Sequence, residues 1–444
     1  MTAGSSIFAL SSGPGRAGIA VIRVSGPAAR DVLARMAPPR APARHAAFRT
    51  VRHPLTGEAI DRSVVIFFEA ASSETGEDVA ELQVHGGRAV VSAVLEALGE
   101  IDGCRPAEAG EFARRAFENG KIDLAEVEGL ADLVDAETEA QRRQALSQSS
   151  GALSQLYDGW RANLIEISGL VEAAIDFSDE GDVSAKAFDL ARAKAAPLAQ
   201  AVAAHLDDGH RGEILRDGFR VALLGPPNAG KSSLLNALAR RDAAIVSEEA
   251  GTTRDVIEVR LDLGGLPVIV SDTAGIREAQ GFVEQEGIRR SLAAGKAADL
   301  VIWLSTIGQP SDFPREISRE TAVKVGSKAD LADGTAGFES HSFNALEVSA
   351  KTGAGLDALI GKIAQLAAER LAEGNGPPLT RERHRRSLIE AQDGLRDFLG
   401  GSADDLELRA EDLRKAIHGL GRITGRVDVD DILGEIFSRF CIGK

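Results

Sequence analysis

The sequence predicts a multidomain protein of α/β and α class. It reads as an N-terminal α+β domain, a central helical domain, and a P-loop-type parallel α/β domain inserted into the helices. Three observations lead there. At 444 residues the chain exceeds a single core and suggests about three domains. Its first part carries short strand-like runs between glycine and proline turns. Farther along, a strand–loop–helix stretch between Phe219 and about Ala368 has helical patterning before and after it, which is what an insertion leaves behind.

Each element follows from local pattern. Ile7–Leu10, Ile19–Val24, Val64–Phe68 and Val79–Val84 read as strands, separated by turns such as Gly13-Pro14-Gly15 and Gly86-Gly87. From Lys121 the texture becomes helical and stays so to about Arg216. Trp160, Leu164, Ile167, Val171 and Ala174 recur at steps of four and three along one apolar face. Val221–Leu224, Val268–Val270, Leu300–Leu304 and Ala322–Val325 are buried-type strands of a parallel sheet. Gly374 to Pro378 reads as a linker. Helix then returns and ends in Asp430 to Phe440, with Ile432, Leu433, Ile436, Phe437 and Phe440 as its apolar stripe. The predicted boundaries are 1–120 for the α+β domain, 121–216 and 374–444 for the two helical parts, and 217–373 for the insertion.

Composition narrows the class. Hydrophobic residues at 44% and charged residues at 27% are ordinary for a globular protein. No stretch approaches the roughly 18 apolar residues of a membrane helix, and Met1 to Leu10 does not read as a secretory signal. The two cysteines, Cys104 and Cys441, exclude a disulfide framework and fit a reducing, cytoplasmic setting. A net charge of −16 argues against a broad RNA-binding surface, so any RNA contact must be local or supplied by a partner.

The chemistry sits in the insertion. Gly225-Pro226-Pro227-Asn228-Ala229-Gly230-Lys231-Ser232 follows a strand and opens a helix. Such a loop wraps phosphate in backbone N–H groups, and its lysine neutralises the β and γ oxygens. Gly251-Thr252-Thr253-Arg254-Asp255 offers a threonine hydroxyl for Mg²⁺ opposite Ser232. Asp272-Thr273-Ala274-Gly275 places a carboxylate in the outer magnesium sphere and a glycine N–H near the γ-phosphate. In Ser327-Lys328-Ala329-Asp330, the aspartate can accept from guanine N1–H and the amino group, which adenine lacks, and Ser349-Ala350-Lys351 would close over the base. These motifs in register point to GTP hydrolysis. The usual asparagine of the base motif is Ser327. Ile276 occupies the position where Ras-type proteins carry a water-orienting glutamine.

Taken together, Gly225–Asn236, Gly251–Asp255 and Asp272–Arg277 resemble the GTPase domain of the MnmE (TrmE) family of tRNA-modification GTPases. Two stretches outside that domain are similar to the same family: Gly110–Leu124 and the terminal Phe440-Cys441-Ile442-Gly443-Lys444. The resemblance implies a tetrahydrofolate-binding N-terminal domain and a homodimer formed through it. It also implies a flavoprotein partner, MnmG (GidA), which carries the FAD and most of the contact with tRNA. The reaction implied is addition of an aminomethyl or carboxymethylaminomethyl group at C5 of the wobble uridine, with folate donating the one-carbon unit. Matching folate positions are Arg23, Glu81, Lys121 and Lys444. By the same resemblance GTP is contacted by Asn228 to Ser233, with Ser233 closing that run, by Ser247, Glu248, Glu249, Ala250, Gly251, Thr252 and Thr253, and by the base-side residues above. Ser232 and Thr253 would hold Mg²⁺; Asn228, Ser247, Glu249 and Thr252 would hold an activating K⁺. Glu284 matches the residue that would orient or deprotonate the attacking water.

Other features weigh less. His85-Gly86-Gly87 reads as a tight turn, because no nucleophile motif accompanies it. Arg381 to Arg386 is the strongest basic cluster and reads as a solvated helix face, with a tRNA or partner contact as the alternative. Cys441 has only Lys444 nearby to lower its pKa, which weighs against a nucleophile. A regulatory switch GTPase of ribosome assembly is the competing reading, and an ATPase with an altered base motif is a third, opposed by Asp330.

Overall fold

The computed structural model describes residues 4–177, 181–245, 257–272, 284–309, 313–331, 346–372, 376–427, 430–438, 440, 442 and 443. Two compact units emerge: Met1–Ala131 with Gln148–Asp158 and Leu420–Lys444, and Asp132–Ser147 with Gly159–Gly419.

The first unit begins β1 (Ser6–Leu10), β2 (Ala17–Ser25), α1 (Ala29–Met36), β3 (Ala47–Arg52), β4 (Ala59–Phe68), β5 (Val79–Gly86), α2 (Arg88–Gly99), β6 (Cys104–Pro106) and α3 (Glu111–Glu118). Its sheet runs β3-β4-β5-β2-β1-β6 and is antiparallel except for the β1–β6 pair. Strict alternation explains why one face is packed. Ala20, Ile22 and Val24 of β2, Val65 and Phe67 of β4, and Leu82 and Val84 of β5 are buried with Val32 and Met36 of α1 and Val94 and Leu98 of α2. The opposite face carries Val21, Arg23, Glu81, Gln83, Val64 and Ile66 in intermediate exposure, with Ile19 (61%) and Phe48 (58%) open.

Helical chain follows as α4 (Leu124–Asp135), α5 (Glu139–Ser149), α6 (Ala152–Asp176), α7 (Gly181–Leu206) and α8 (Arg211–Asp217). Next come β7 (Phe219–Leu224), α9 (Lys231–Ala239), β8 (Ile257–Leu263), β9 (Leu266–Asp272), α10 (Glu284–Ala297), β10 (Leu300–Thr306), β11 (Ala322–Ser327), β12 (Leu346–Glu347) and α11 (Leu356–Arg370). The chain closes with α12 (Glu382–Gly400), α13 (Leu406–Thr424) and α14 (Asp430–Ser438). The α6 stripe is as its spacing predicts, with Leu164, Ile167, Val171 and Ala174 buried.

The second sheet, β12-β11-β10-β7-β9-β8, is parallel as expected except at its edge, where β8 pairs antiparallel with β9. Ile257–Leu263 alternates apolar and charged residues, the signature of a half-exposed edge strand; it was not among the expected buried-type runs. Around the sheet, Val221, Leu223, Val270, Ile302, Leu304 and Val325 form the core with Leu234, Leu238, Leu359 and Ile363.

The chain enters and leaves this α/β part through two adjacent segments. Arg211 Nη1 donates to the Ala372 carbonyl at 3.1 Å and Arg216 Nη1 to that of Thr380 at 2.5 Å. The basic run at Arg381–Arg386 is largely absorbed here. Arg381 pairs with Asp132 at 2.5 Å, and Arg385 is buried between Asp208 (2.7 Å) and Glu213 (3.2 Å). The expected solvated face is thus corrected. At least Arg381 and Arg385 are structural, because a desolvated guanidinium needs an acidic partner.

Within the first unit the C-terminus returns to the N-terminal sheet. Phe437 and Phe440 pack with Ala113 and Val127, and Ile442 forms an antiparallel bridge with Ala109. Gly443 (φ 104°) lies against β1; a Cβ there would fall 2.1 Å from the Leu10 carbonyl oxygen, so only glycine fits.

Candidate nucleotide site

The phosphate loop is built by close approach. β7 is buried except at Arg220 and delivers Gly225 beside β10, where a Cβ would sit 2.1 Å from the Leu304 carbonyl. The loop turns through Asn228 (φ 61°) and Gly230 (φ 93°), which opens α9. First-turn N–H groups of that helix have no intrahelical acceptor and face the loop, the arrangement that receives a phosphate. Lys231 is buried and its Nζ donates to the Gly225 and Pro226 carbonyls at 2.9 and 3.0 Å. Burial pushes the Lys231 ammonium below its ordinary pKa, and the Asp272 carboxylate acts in the opposite direction. Asp272, buried at the end of β9, accepts from Ser232 Oγ at 2.5 Å. Ala229 is buried, whereas Asn228, Ser232 and Ser233 are exposed at the rim.

The base side is equally local. Lys328 takes φ 60°, and the Ala329 N–H bonds the Val348 carbonyl at 3.1 Å, joining the Ser327–Asp330 turn to the Ser349–Lys351 segment. Buried Ser349 donates Oγ–H to Asp330 Oδ1 at 2.6 Å and accepts from the Thr352 N–H at 3.2 Å. That bond from Ser349 holds the Asp330 carboxyl below its ordinary pKa, so an exposed carboxylate is fixed as an acceptor. Ala350 is half-buried and Lys351 exposed. Ser327 is buried and donates to the Ser305 carbonyl at 3.3 Å, between β10 and β11. A Cβ built on Gly230 would stand 4.0 Å from Ser327 Oγ, so the phosphate and base loops are neighbours.

The site is thus assembled from Gly225–Ser233, Asp272, Ser327–Asp330 and Ser349–Lys351. Ser247, Glu248, Glu249, Ala250, Gly251, Thr252, Thr253, Thr273, Ala274 and Gly275 lie outside the described residues. Glu284 is the first residue of α10. Two contributors escaped the sequence reading. Ser305 acts through its carbonyl and Leu304 through the backbone that fixes Gly225; neither carries a side-chain signal.

In the first unit, Arg23 and Glu81 are register partners across β2 and β5. Arg23 Nε and Nη2 donate to Glu81 Oε1 at 3.2 and 3.0 Å, and Nη1 donates to Glu74 at 2.8 Å. The Arg23 guanidinium also lies 5.9 Å from the Phe112 ring centroid. Lys121 Nζ donates to the Ala71 carbonyl at 2.9 Å, on the same connection that carries Glu74. Lys444 and Cys441 lie outside the described residues. His85 pairs with Asp61 at 2.8 Å where β5 turns into α2, in keeping with the tight turn expected there.

Comparison with known proteins completes the picture. The MnmE helical domain family matches residues 124–441, and the GTP-binding protein TrmE N-terminus family matches residues 6–121. The chain is 53% identical over 449 residues to the tRNA modification GTPase MnmE of Parvibaculum lavamentivorans, covering 99% of both chains. To the protein of that name from Rhodospirillum rubrum it is 51% identical over 454 residues, again covering 99% of each. Among solved structures, an Era variant from Aquifex aeolicus bound to GDP and aluminium fluoride is 24% identical. It aligns with 39% of this chain and 66% of its own, at a TM-score of 0.28.

Because Ser327 bonds the sheet rather than the phosphate loop, an asparagine at this position should strengthen the tie between the two loops. One or two neutral hydrogen bonds are worth about 1–2 kcal/mol, or roughly five- to thirtyfold in affinity. Ser327→Asn should bind fluorescent GTP and GDP analogues tighter by that factor and still reject ATP. Unchanged affinity would mean that the serine already satisfies the loop.

Proposed function

The chain belongs to the MnmE family of tRNA modification GTPases, and from that premise we propose its chemistry. It hydrolyses GTP in a homodimer that, with a flavoprotein partner, adds an aminomethyl-type group to C5 of the wobble uridine of certain tRNAs. A reduced folate donates the one-carbon unit. The domain plan proposed with it is 1–120 for folate, 121–216 and 374–444 for the helical part, and 217–373 for the GTPase.

The single observation that carries the GTPase half is the concentration of four motifs on one end of one sheet, with Lys231, Asp272, Ser327 and Asp330 all held by bonds internal to that site. Lys231 neutralises phosphate charge at the loop, and Asp330 accepts from the guanine N1–H and amino group. The Ser232 hydroxyl and Thr253 are the hard oxygen donors that would hold Mg²⁺, and the Asp272 carboxylate, which accepts from Ser232 Oγ at 2.5 Å, would stand in the outer sphere. When bound, the metal supplies charge neutralisation on the β and γ oxygens. Asn228, exposed on the loop, would contribute its amide oxygen to a K⁺ site completed by Ser247, Glu249 and Thr252. Glu284 is proposed to orient or deprotonate the attacking water, the role that Ile276 cannot fill.

The folate half is supported by the docked C-terminus. Gly443 packs on Leu10, next to Ala9, whose strand partner is Arg23. Lys444, the proposed further folate residue, is the next residue in sequence after Gly443. Arg23 balances the Glu81 charge while leaving that carboxylate able to accept from a pterin's amidine edge, and the cations suit a glutamyl carboxylate. For the dimer, the supporting feature is the uncovered face of the first sheet, where Ile19, Phe48, Val21, Val64 and Ile66 would be desolvated by a second copy.

Two experiments separate the halves. Glu284→Ala should slow single-turnover GTP hydrolysis by roughly a hundredfold or more at saturating K⁺, with nearly unchanged GTP affinity. An unaltered rate would remove Glu284 from the chemistry. Gly443→Ala should expel the tail, because its new methyl has no room beside Leu10. Calorimetry should then show reduced-folate binding weakened by about tenfold or more at full GTPase rate. Equal folate affinity would detach the tail from that site.

A further inference from the structure

The β8–β9 hairpin has its β9 end at the phosphate loop and its tip on a helix. Asp272, which accepts from Ser232, is the last residue of β9. Ile257, the first residue of β8, comes two residues after Asp255 in sequence. Between them the strands are in continuous register from Ile257↔Asp272 to Leu263↔Leu266, so one cannot shift without the other. Seven residues per strand span about 20 Å.

The tip is rigid and occupied. Gly264 and Gly265 (φ 70° and 89°) form a two-residue turn of the kind that matches strand twist. Asp262 Oδ1 accepts from the Gly265 N–H at 2.6 Å. The Gly265 carbonyl accepts from the Ala140 N–H at 3.0 Å, one of the first N–H groups of α5, which have no partner within their helix. One turn back on the exposed edge of β8, Arg260 Nη1 meets Glu137 Oε2 at 2.9 Å. Beside these contacts lies a cavity of about 200 Å³ lined by Glu137, Gln141, Arg216, Arg260 and Pro267.

We propose that this hairpin is a lever that carries the nucleotide state from the phosphate site to α5, with the Glu137–Arg260 pair and the Gly265–Ala140 bond as its coupling. A nucleotide that draws Ser232 and Asp272 toward a metal pulls the end of β9, and the paired strands deliver that displacement to the helix start. The inference rests on the GTPase reading. The ion pair is half-exposed and adds little to folding stability, so it is available for coupling and its removal leaves the fold in place.

Hydrogen exchange on the full-length protein, with Mg²⁺ and either GDP or a non-hydrolysable GTP analogue, tests it. In the unaltered protein, peptides covering 136–147 should differ several-fold in exchange between the two nucleotides, together with peptides covering 266–272. In Glu137→Gln the 266–272 response should persist and the 136–147 response should vanish, while single-turnover hydrolysis stays within about twofold. Exchanging the charges, as Glu137→Arg with Arg260→Glu, should restore it. The lever is overturned if 136–147 ignores the nucleotide while 266–272 responds, or if Glu137→Gln changes nothing. Silence in both segments would likewise overturn the lever, while the single-turnover rate measured alongside tests the GTPase reading separately.

Discussion

One hydrogen bond, from Ser232 to Asp272, organises the second unit. It ties the start of α9 to the end of β9, and so joins the phosphate loop to the neighbouring strand of the sheet. That bond requires the loop to leave β7 tightly, which the contact between Gly225 and the Leu304 carbonyl enforces. It also requires a buried lysine beside a buried carboxylate, so that desolvation of Lys231 is partly offset where phosphate charge would be met. The base side then follows from β10 and β11, whose ends place Ser327 and Asp330 within reach of the same loop.

Much of this was legible because it is contiguous in sequence. A loop that must wrap phosphate needs its glycines, lysine and serine within a few residues, and a strand must precede it. The buried parallel strands and the α6 stripe were readable for the same reason. What stayed hidden depends on distant partners. Edge strand β8 reads as alternating charge and gains its antiparallel place only through β9. The Arg381–Arg386 cluster looks solvated until Asp132, Asp208 and Glu213 are seen to bury two of its arginines. Nor does the spacing of Ser327 reveal that its hydroxyl is already committed to Ser305.

The strongly acidic balance acquires a structural sense as well. Two arginines of the best candidate RNA patch, Arg381 and Arg385, are spent on internal ion pairs, and Arg23 is likewise matched by Glu81 and Glu74. With a net charge of −16, this leaves little cationic surface for a broad nucleic-acid contact. That balance supports the proposal that a partner holds most of the RNA.

We propose that Asp330, held by Ser349, reads guanine through its amino group and N1–H. Xanthine keeps N1–H but carries a carbonyl in place of the amino group. An asparagine at this position can still accept from N1–H and Ser349 while donating to that carbonyl. The direct measurement is hydrolysis of GTP and of xanthosine triphosphate by the parent protein and by Asp330→Asn. The variant should lose GTP turnover and gain xanthosine triphosphate turnover, each by roughly a hundredfold or more in kcat/KM. An unchanged preference for GTP in the variant would contradict it.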